Sequence, residues 1–226
     1  MTKVAKITGT LEAVDKYGRD SEMAYQLEQR YSELAKDIEL AIVGQPGGSF
    51  QTATAGSSSA ARKFACFQTQ HAGGPNVSTL RLDATSDNTL AKLETRLLDA
   101  HEGCHAQGGN PDTLVVPPAV SRYVASFAAA SGRNRELRES TTIVNNVDLY
   151  VSPFGELNVV QDREMEALAM LGIDFNYSAT AVLRPTQDYA LSKTGDAESR
   201  QIITELTYSL LNRDSAFRVH SISSSL

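Results

Sequence analysis

One long amphipathic segment, residues 21–43 (SEMAYQLEQRYSELAKDIELAIV), limits what this chain can fold into more than any other feature. Its apolar residues recur three or four positions apart, which places them on one face of an α-helix. These residues are Met23, Leu27, Tyr31, Leu34, Ile38 and Ile42. Asp20 or Ser21 can cap the start of the helix, and Gly44 with Pro46 can end it. At about 1.5 Å per residue the helix is roughly 35 Å long, so other elements must pack along it.

Three further segments in the first 131 residues have recognisable patterns. A second helix is predicted over residues 87–106, with its N-cap among residues 85–87. Residues 113–117 (TLVVP) predict a short buried strand. Residues 118–131 predict a third helix, because proline suits the first turn of a helix.

The remainder of the chain is rich in strand patterns. Residues 147–162 (VDLYVSPFGELNVVQD) predict a β-hairpin whose turn contains proline and glycine. A strand is predicted to begin at residues 180–185, and residues 201–211 (QIITELTYSLL) alternate between two faces. Residues 218–222 predict a last strand. Helices and strands do not alternate regularly along the chain, so the predicted fold class is α+β.

The composition excludes several classes of protein. The 226 residues are 41% hydrophobic and 21% charged, which is typical of a globular chain with one large or two small domains. A membrane-spanning helix needs about 18 consecutive apolar residues, and no apolar run in the sequence is that long. The first residues, MTKVAKITGT, lack a signal-peptide pattern. Two distant cysteines predict a reducing compartment without a disulfide framework. A net charge of −6 argues against a protein that grips phosphate backbones, although such a chain can still enclose nucleic acid.

The short segment HEGCH, residues 101–105, is the most metal-like cluster in the sequence. His101 and His105 are four positions apart and share one helix face, a spacing that can chelate zinc. His220 is the one histidine suited to act as a further ligand. However, histidines near a helix C-terminus also suit the helix dipole, so a structural role is favoured. A metal-dependent hydrolase that uses these histidines remains an alternative.

Two charged segments are candidates for contacts. Arg133, Arg135 and Arg138 lie in a stretch that acidic residues interrupt, which favours a solvated or intersubunit loop over a nucleic-acid site. Residues 191–201 (LSKTGDAESRQ) contain Lys-Thr-Gly, but the glycine follows the lysine and a strand follows the segment, unlike a P-loop. This segment is predicted to be a hairpin tip that is either solvated or in contact with another subunit. Its candidate contact residues are Lys193, Asp196, Glu198 and Arg200.

Four stretches together resemble the major capsid proteins of tailed bacteriophages with the HK97-type fold, in the SU10 major head protein family. They are residues 9–44, the GGNPD junction at 108–112 with the following VVPP, residues 147–160 (VDLYVSPFGELNVV), and residues 182–217. The last stretch, VLRPTQDYALSKTGDAESRQIITELTYSLLNRDSAF, is the longest and the most specific. Residues 4–14 (VAKITGTLEAV) resemble the returning strand of the family's extended loop.

The resemblance implies a fold with a long spine helix, a P-domain β-sheet and a central A domain. It assigns residues 1–71 and 171–226 to the P domain and residues 72–170 to the A domain. It implies a structural protein of the virion that is not an enzyme and binds no cofactor or metal. Copies of the chain would assemble through pentamers and hexamers, in the host cytoplasm, into an icosahedral shell around double-stranded DNA. Scaffolding, portal or decoration proteins are possible partners, and an encapsulin-like compartment shell is the nearest alternative.

Overall fold

The predicted long helix is present in the computed structural model of the chain and extends from Glu22 to Val43. Ser21 caps its start, as predicted, because the Ala24 N–H donates a hydrogen bond of 3.2 Å to the Ser21 Oγ. Gly44 follows with a φ of +110°, a left-handed conformation that glycine adopts without strain and that ends the helix. The structure describes residues 1–14, 17–44, 50–87, 89–130, 149–193 and 195–224.

The secondary structure within these ranges is mixed. The helices are α1 (Gly9–Ala13), α2 (Glu22–Val43), α3 (Phe67–His71), α4 (Val77–Leu80), α5 (Leu90–Ala106) and α6 (Pro118–Ala130). The strands are β1 (Thr2–Thr8), β2 (Arg81–Asp83), β3 (Thr113–Val116), β4 (Leu149–Ser152), β5 (Gly155–Gln161), β6 (Met170–Ile173), β7 (Ser178–Ala190), β8 (Ala197–Leu210) and β9 (Ala216–His220). None of the helices in the described ranges combines the length and hydropathy that a bilayer crossing requires.

The chain divides into two compact units. The first unit contains Met1–Ile42 and Thr180–Tyr208, and the second contains Val43–Ala179 and Ser209–Leu226. Each unit has its own β-sheet, with three strands in the order β1-β8-β7 and six strands in the order β2-β9-β6-β3-β5-β4. Both units are therefore discontinuous in sequence, and each is completed by the last part of the chain.

In the first unit, β1 joins the start of the chain to its end. It pairs antiparallel with β8, in a register that runs from Thr2 opposite Ile203 to Thr8 opposite Ala197. Ala5 and Ile7 of β1 pack against Met23, with Leu27 beside them, so one face of the sheet is packed on α2. An ion pair of 2.8 Å between the Lys3 Nζ and the Asp37 Oδ2 connects the same two elements.

The alternation predicted for residues 201–211 is confirmed in β8. Ile202, Thr204, Tyr208 and Leu210 are all less than a tenth exposed, and they occupy every second position apart from the half-buried Leu206. The positions between them are half-buried or exposed. This period of two is expected for a strand with one packed face.

In the second unit, α5 and α6 share one apolar core with the six-stranded sheet. The sheet is mixed, because β3 pairs parallel with β5 and antiparallel with β6. The predicted hairpin is present as β4 and β5, which pair antiparallel. The core includes Leu93, Leu97, Leu114, Val120, Val124, Phe127, Leu157, Met170, Phe217 and Val219.

The start of the second predicted helix differs from its prediction. The helix begins at Leu90, and its N-cap is Thr89, whose side chain accepts a hydrogen bond from the Lys92 N–H. Asp87, which is within the predicted cap positions, instead accepts a hydrogen bond of 2.9 Å from the Arg96 Nε. The prediction failed because several consecutive residues are suitable caps, and a tertiary contact with Arg96 decides between them.

A buried cation lies on β9, the strand next to the edge strand β2 of the second sheet. Arg218 of β9 is 2% exposed, and its Nη2 donates a hydrogen bond to the Glu166 Oε2. Its guanidinium also lies 4.8 Å from the centre of the Phe50 ring, a cation–π contact. Burial lowers the pKa of Arg218, and the Glu166 charge opposes that shift. Glu166 therefore neutralises a charge that water cannot reach.

We expect the substitution Glu166→Gln to lower the free energy of unfolding by about 3 kcal/mol, because it leaves Arg218 charged and buried without a counter-charge. Urea unfolding followed by circular dichroism measures this loss. Glu205→Gln is the matched control, since Glu205 pairs with Arg184, whose side chain is 56% exposed. The control should cost less than about 1 kcal/mol, and equal losses would show that the buried pair has no special role.

Burial of His71 predicts a loss of stability in acid. The side chain is 1% exposed, and its Nε2 lies 2.9 Å from the Ala216 carbonyl oxygen, so Nε2 carries the proton of the neutral ring. Burial lowers the pKa of His71 from 6.5 to about 4. As pH falls from 6.5 to about 4, the unfolded chain binds a proton that the folded chain excludes. Stability should therefore decrease across this window, by up to about 3 kcal/mol from this group.

The substitution His71→Gln tests this pH dependence, because glutamine does not titrate but retains an N–H donor. The free energy of unfolding is measured for variant and wild type at several pH values between 7 and 4. The difference between the two proteins should become smaller as pH falls. All carboxylates are shared by the two proteins, so the difference between their curves isolates His71. Parallel curves over the whole range would contradict a buried neutral ring.

Candidate assembly surface

The segment between β7 and β8 is a hairpin tip, and its two flanking strands are neighbours in the first sheet. The Leu191 N–H donates a hydrogen bond of 2.9 Å to the Ser199 carbonyl oxygen, which closes the hairpin. Gly195 has a φ of +79°, a left-handed conformation that tight turns use. Glycine adopts it without strain because it has no Cβ. A helix does not follow the tip, so the sequence-based rejection of a P-loop is correct.

The four charged candidates at this tip are arranged in a definite way. The Lys193 Nζ lies 2.5 Å from the Glu198 Oε1, and the Arg200 Nη2 lies 2.7 Å from the Asp188 Oδ2. The hydrogen bond and the charge of Glu198 raise the pKa of Lys193, and the same contact lowers the pKa of Glu198. Both side chains remain at least half exposed. The tip thus presents the paired Lys193 and Glu198 side chains to the surroundings.

Beside the tip lies a shallow hollow of about 150 Å³ in the first unit. The Gly9 N–H donates a hydrogen bond of 2.9 Å to the Asp196 carbonyl oxygen. A Cβ at Gly9 would collide with the Asp196 carboxylate, so glycine permits this close approach. Glu12 also lines the hollow, and its carboxylate accepts hydrogen bonds from the Ser21 Oγ and the Glu22 N–H.

The hollow lies at the surface, and its polar groups form hydrogen bonds and an ion pair within the first unit. Its lining residues are Ile7, Thr8, Gly9, Glu12, Lys193, Gly195, Asp196, Ala197 and Glu198. They include neither a histidine nor a cysteine that could act as base or nucleophile. Sequence reasoning missed the contribution of Gly9 and Glu12, because nothing in their local sequence shows that they adjoin residues nearly 190 positions away.

His101, the first candidate zinc ligand, is part of the core of the second unit. Its Nδ1 lies 2.9 Å from the Ser152 Oγ, and its ring packs against Phe217 and Phe154. Burial, with a smaller effect of the neighbouring His105, lowers the pKa of His101 to about 4. Such a ring is neutral at physiological pH and serves packing.

The other members of that cluster do not complete a metal site. The His105 side chain is exposed, and the His220 Nδ1 lies 2.9 Å from the Ser221 Oγ. Burial raises the pKa of the Cys104 thiol to about 12, which makes it a poor metal ligand. Within the described ranges, His, Cys, Asp and Glu form no group of three or more placed to hold a metal ion. The geometry gives the metal-dependent hydrolase no support.

The remaining candidates are the arginines of the charged loop. Arg133, Arg135 and Arg138 lie outside the described residues, so their predicted role as contacts stays a prediction. The contact residues predicted from the sequence that the structure describes are therefore those of the tip, Lys193, Asp196, Glu198 and Arg200.

Comparison with solved structures identifies the fold. The SrpI encapsulin of Synechococcus elongatus PCC 7942 matches with a TM-score of 0.64 at 6% identity, over 100% of this chain and 74% of that chain. A chain of Microbacterium phage Oxtober96 matches with a TM-score of 0.63 at 10% identity, over 98% and 71%. A chain of the satellite phage P4 procapsid matches with a TM-score of 0.58 at 12% identity, over 99% and 70%. The fold is thus the HK97-like capsid fold, as the sequence predicted.

Comparison of sequences identifies the family. No curated protein matches the chain. The SU10 major capsid protein family, however, matches residues 1–223 of the 226. The match covers both units and the tip, and it agrees with the capsid fold of the structural relatives. The chain therefore belongs to the SU10 major capsid protein family, whose members form the shell of the virion.

Proposed function

We propose that copies of this chain close into pentamers and hexamers and that these form an icosahedral shell around double-stranded DNA. The family match over residues 1–223 is the observation that carries the proposal. Head-to-tail contacts that close by rotation produce rings, and repeated weak contacts become collectively strong through multivalency. Assembly would take place in the host cytoplasm, with scaffolding, portal or decoration proteins as possible partners.

The proposed division of labour follows the resemblance to the family. In this proposal residues 1–71 and 171–226 form the P domain with the spine helix α2, and residues 72–170 form the A domain. These bounds differ from those of the two compact units, because residues 43–71, 171–179 and 209–226 belong to the second unit. The chain's net charge of −6 suits a lining that does not trap DNA by nonspecific attraction. The DNA would then be held by enclosure and not by specific contacts.

An encapsulin-like compartment is the second candidate function. It is favoured by the similarity to the SrpI encapsulin, whose match covers the whole of this chain. The two functions differ in the contents of the shell, because a compartment encloses protein cargo and a virion encloses nucleic acid. Particles purified from infected cells should contain nuclease-protected DNA if the virion function is correct.

The expressed chain should form rings or closed shells at high protein concentration. Size-exclusion chromatography followed by negative-stain microscopy tests this expectation directly. A protein that stays monomeric at every concentration, alone and with its scaffolding partner, would contradict shell formation by this chain.

The second proposal concerns the tip, where Lys193, Asp196, Glu198 and Arg200 contact a neighbouring subunit. Its support is that Lys193, Asp196 and Glu198 are exposed, that Arg200 is half-buried, and that the Lys193–Glu198 pair is ionised. A simple double reversal, Lys193→Glu with Arg200→Glu, would also place like charges beside Glu198 and Asp188 within the hairpin. A design that preserves the internal pairs therefore separates assembly from folding more cleanly.

We expect the charge swap Lys193→Glu with Glu198→Lys to keep the hairpin intact and to reduce assembly several-fold. The swap preserves a pair of opposite charges within the hairpin. It reverses the sign of the charge at each of the two positions that would face a neighbouring subunit. Light scattering during assembly and thermal unfolding of the subunit measure the two effects. The swap Arg30→Glu with Glu33→Arg on α2 is the control for a pair exchanged elsewhere, and because it brings the new arginine beside Lys3, assembly is compared at matched subunit stability. Unimpaired assembly of the tip swap would reduce the tip to a connector.

A further inference from the structure

A narrow two-stranded ribbon lies at the surface of the second unit, between α2 and α3. Its two sides are joined by the antiparallel bridge between Thr54 and Lys63, whose N–H···O distances are 2.9 and 3.1 Å. Near its end the Ser57 N–H donates a hydrogen bond of 2.9 Å to the Ala60 carbonyl oxygen. Every residue from 52 to 63 is exposed, and this segment is called the ribbon below.

The ribbon is positively charged in a chain that is acidic overall. It contains Arg62 and Lys63 but no acidic residue, and all 27 Asp and Glu residues of the chain lie outside residues 40–82. No carboxylate of the described residues forms an ion pair with either cation. Both positive charges are therefore open to an anion outside the subunit.

The β7–β8 tip, the other exposed hairpin, has a different charge pattern. Lys193 is paired there with Glu198, and Arg200 is paired with Asp188. The charges of the tip are thus largely balanced within the hairpin, whereas those of the ribbon have one sign. A surface of one sign attracts partners of the opposite sign.

The remaining side chains of the ribbon limit the kind of anionic partner that fits. Its sequence, TATAGSSSAARK, contains five hydroxyl side chains and no apolar side chain larger than alanine. The core of a protein interface is built from large apolar and aromatic side chains, and serine, alanine and lysine are depleted there. The ribbon cannot supply such a core, so it is poorly suited to bind a protein surface.

The same side chains are well suited to the phosphate backbone of a nucleic acid. Arginine, lysine, serine and threonine side chains, together with backbone N–H groups, are common donors to phosphate oxygens. All four side-chain types occur within residues 52–63. Phosphate contacts carry no sequence information, so a partner bound in this way is recognised by its charge and not by its bases.

We propose that the ribbon contacts phosphate groups of the enclosed double-stranded DNA without regard to its sequence. The inference rests on the proposed function, because that function makes DNA the content of the shell. Arg62 and Lys63 supply the charge, and the hydroxyl groups and backbone N–H groups supply hydrogen bonds.

Such a contact is weak in one copy and is repeated in every copy. Two cations neutralise only about two phosphates, while a protein that binds DNA tightly neutralises about 6–10. Repeated weak contacts along one polymer nevertheless add up. The rest of the chain carries the excess of negative charge, so attraction is confined to the ribbon and the DNA stays free to move elsewhere.

The double substitution Arg62→Gln with Lys63→Gln tests the proposal, because it removes both charges at exposed positions where substitutions cost little stability. Binding of a short fluorescent duplex of mixed sequence to purified rings is followed by anisotropy at several salt concentrations. We expect binding to be about tenfold weaker or more at low salt. The plot of log affinity against log salt should become less steep by about 1.8 for each copy in contact with the duplex.

Lys36→Gln with Arg122→Gln is the matched control, because it removes the same charge from exposed positions on α2 and α6. The control should bind the duplex like the wild type. Equal losses in both double variants would reveal an effect of net charge alone, and an unchanged salt slope in the ribbon variant would show that the ribbon does not touch DNA. Either result overturns the proposal.

Formaldehyde crosslinking of DNA-filled particles from infected cells gives an independent measurement, because formaldehyde joins lysine amines to nearby bases. After nuclease digestion, mass spectrometry should find nucleotide adducts on Lys63 in excess of those on the exposed Lys36. If the particles contain protected DNA but Lys63 gains no such excess, the ribbon contact is wrong while the proposed function stands. If the particles contain no protected DNA, the proposed function fails and the ribbon contact fails with it.

Discussion

Both sheets of this protein depend on strands from the last 30 residues of the chain. In the first unit β8 lies between β1 and β7, and in the second unit β9 lies between β2 and β6. Thr2 is paired with Ile203, so neither sheet is complete until the end of the chain is in place. Pairings of such long sequence separation fold slowly, because the entropy of closing the loop must be lost before any contact forms. The β8–β9 segment is one of three places where the chain passes from one unit to the other, and the other two are residues 42–43 and 179–180.

Several polar groups buried in the second unit make contacts within that unit. Arg218 is neutralised by Glu166, His71 contacts a backbone carbonyl, and His101 contacts Ser152. These contacts place ionisable groups where water is excluded, which makes the subunit sensitive to pH and to the loss of one partner. The Lys193–Glu198 ion pair at the β7–β8 tip, in contrast, faces outward.

The first unit exposes apolar surface that isolated proteins usually bury. β7 exposes both faces, and Tyr31 on the apolar stripe of α2 is 39% exposed. An isolated soluble protein rarely exposes a long neutral edge strand. Binding of a partner to such surfaces would add to the stability of the native subunit.

Local sequence patterns predicted much of the fold. The period of α2, the alternation in β8 and the turn of the β4–β5 hairpin depend on residues near one another in the chain, so sequence alone reveals them. The same is true of the tip, where Gly195 indicates a turn. The N-cap predicted for α5 was wrong, because the Asp87 side chain contacts Arg96 and does not cap the helix. The assignment of the chain to a capsid protein family followed from long stretches of resemblance. It did not follow from hydrophobic periodicity or from the spacing of particular residues.

What the sequence by itself determined is therefore the α+β class, the family and the larger elements, namely α2, α5, α6, β3, the β4–β5 hairpin, β7, β8 and β9. The short elements α3, α4, β2 and β6 were not predicted, because each has only three to five residues. Only the tertiary structure decided which elements become neighbours and which remain bare. Gly172 looks like any strand glycine in the sequence, yet Phe217 lies across it and a Cβ there would collide with the ring. The exposure of β7 is equally invisible, because its apolar residues resemble those of a buried strand. Burial is decided by contacts between distant segments, and those contacts leave no local pattern for a sequence to show.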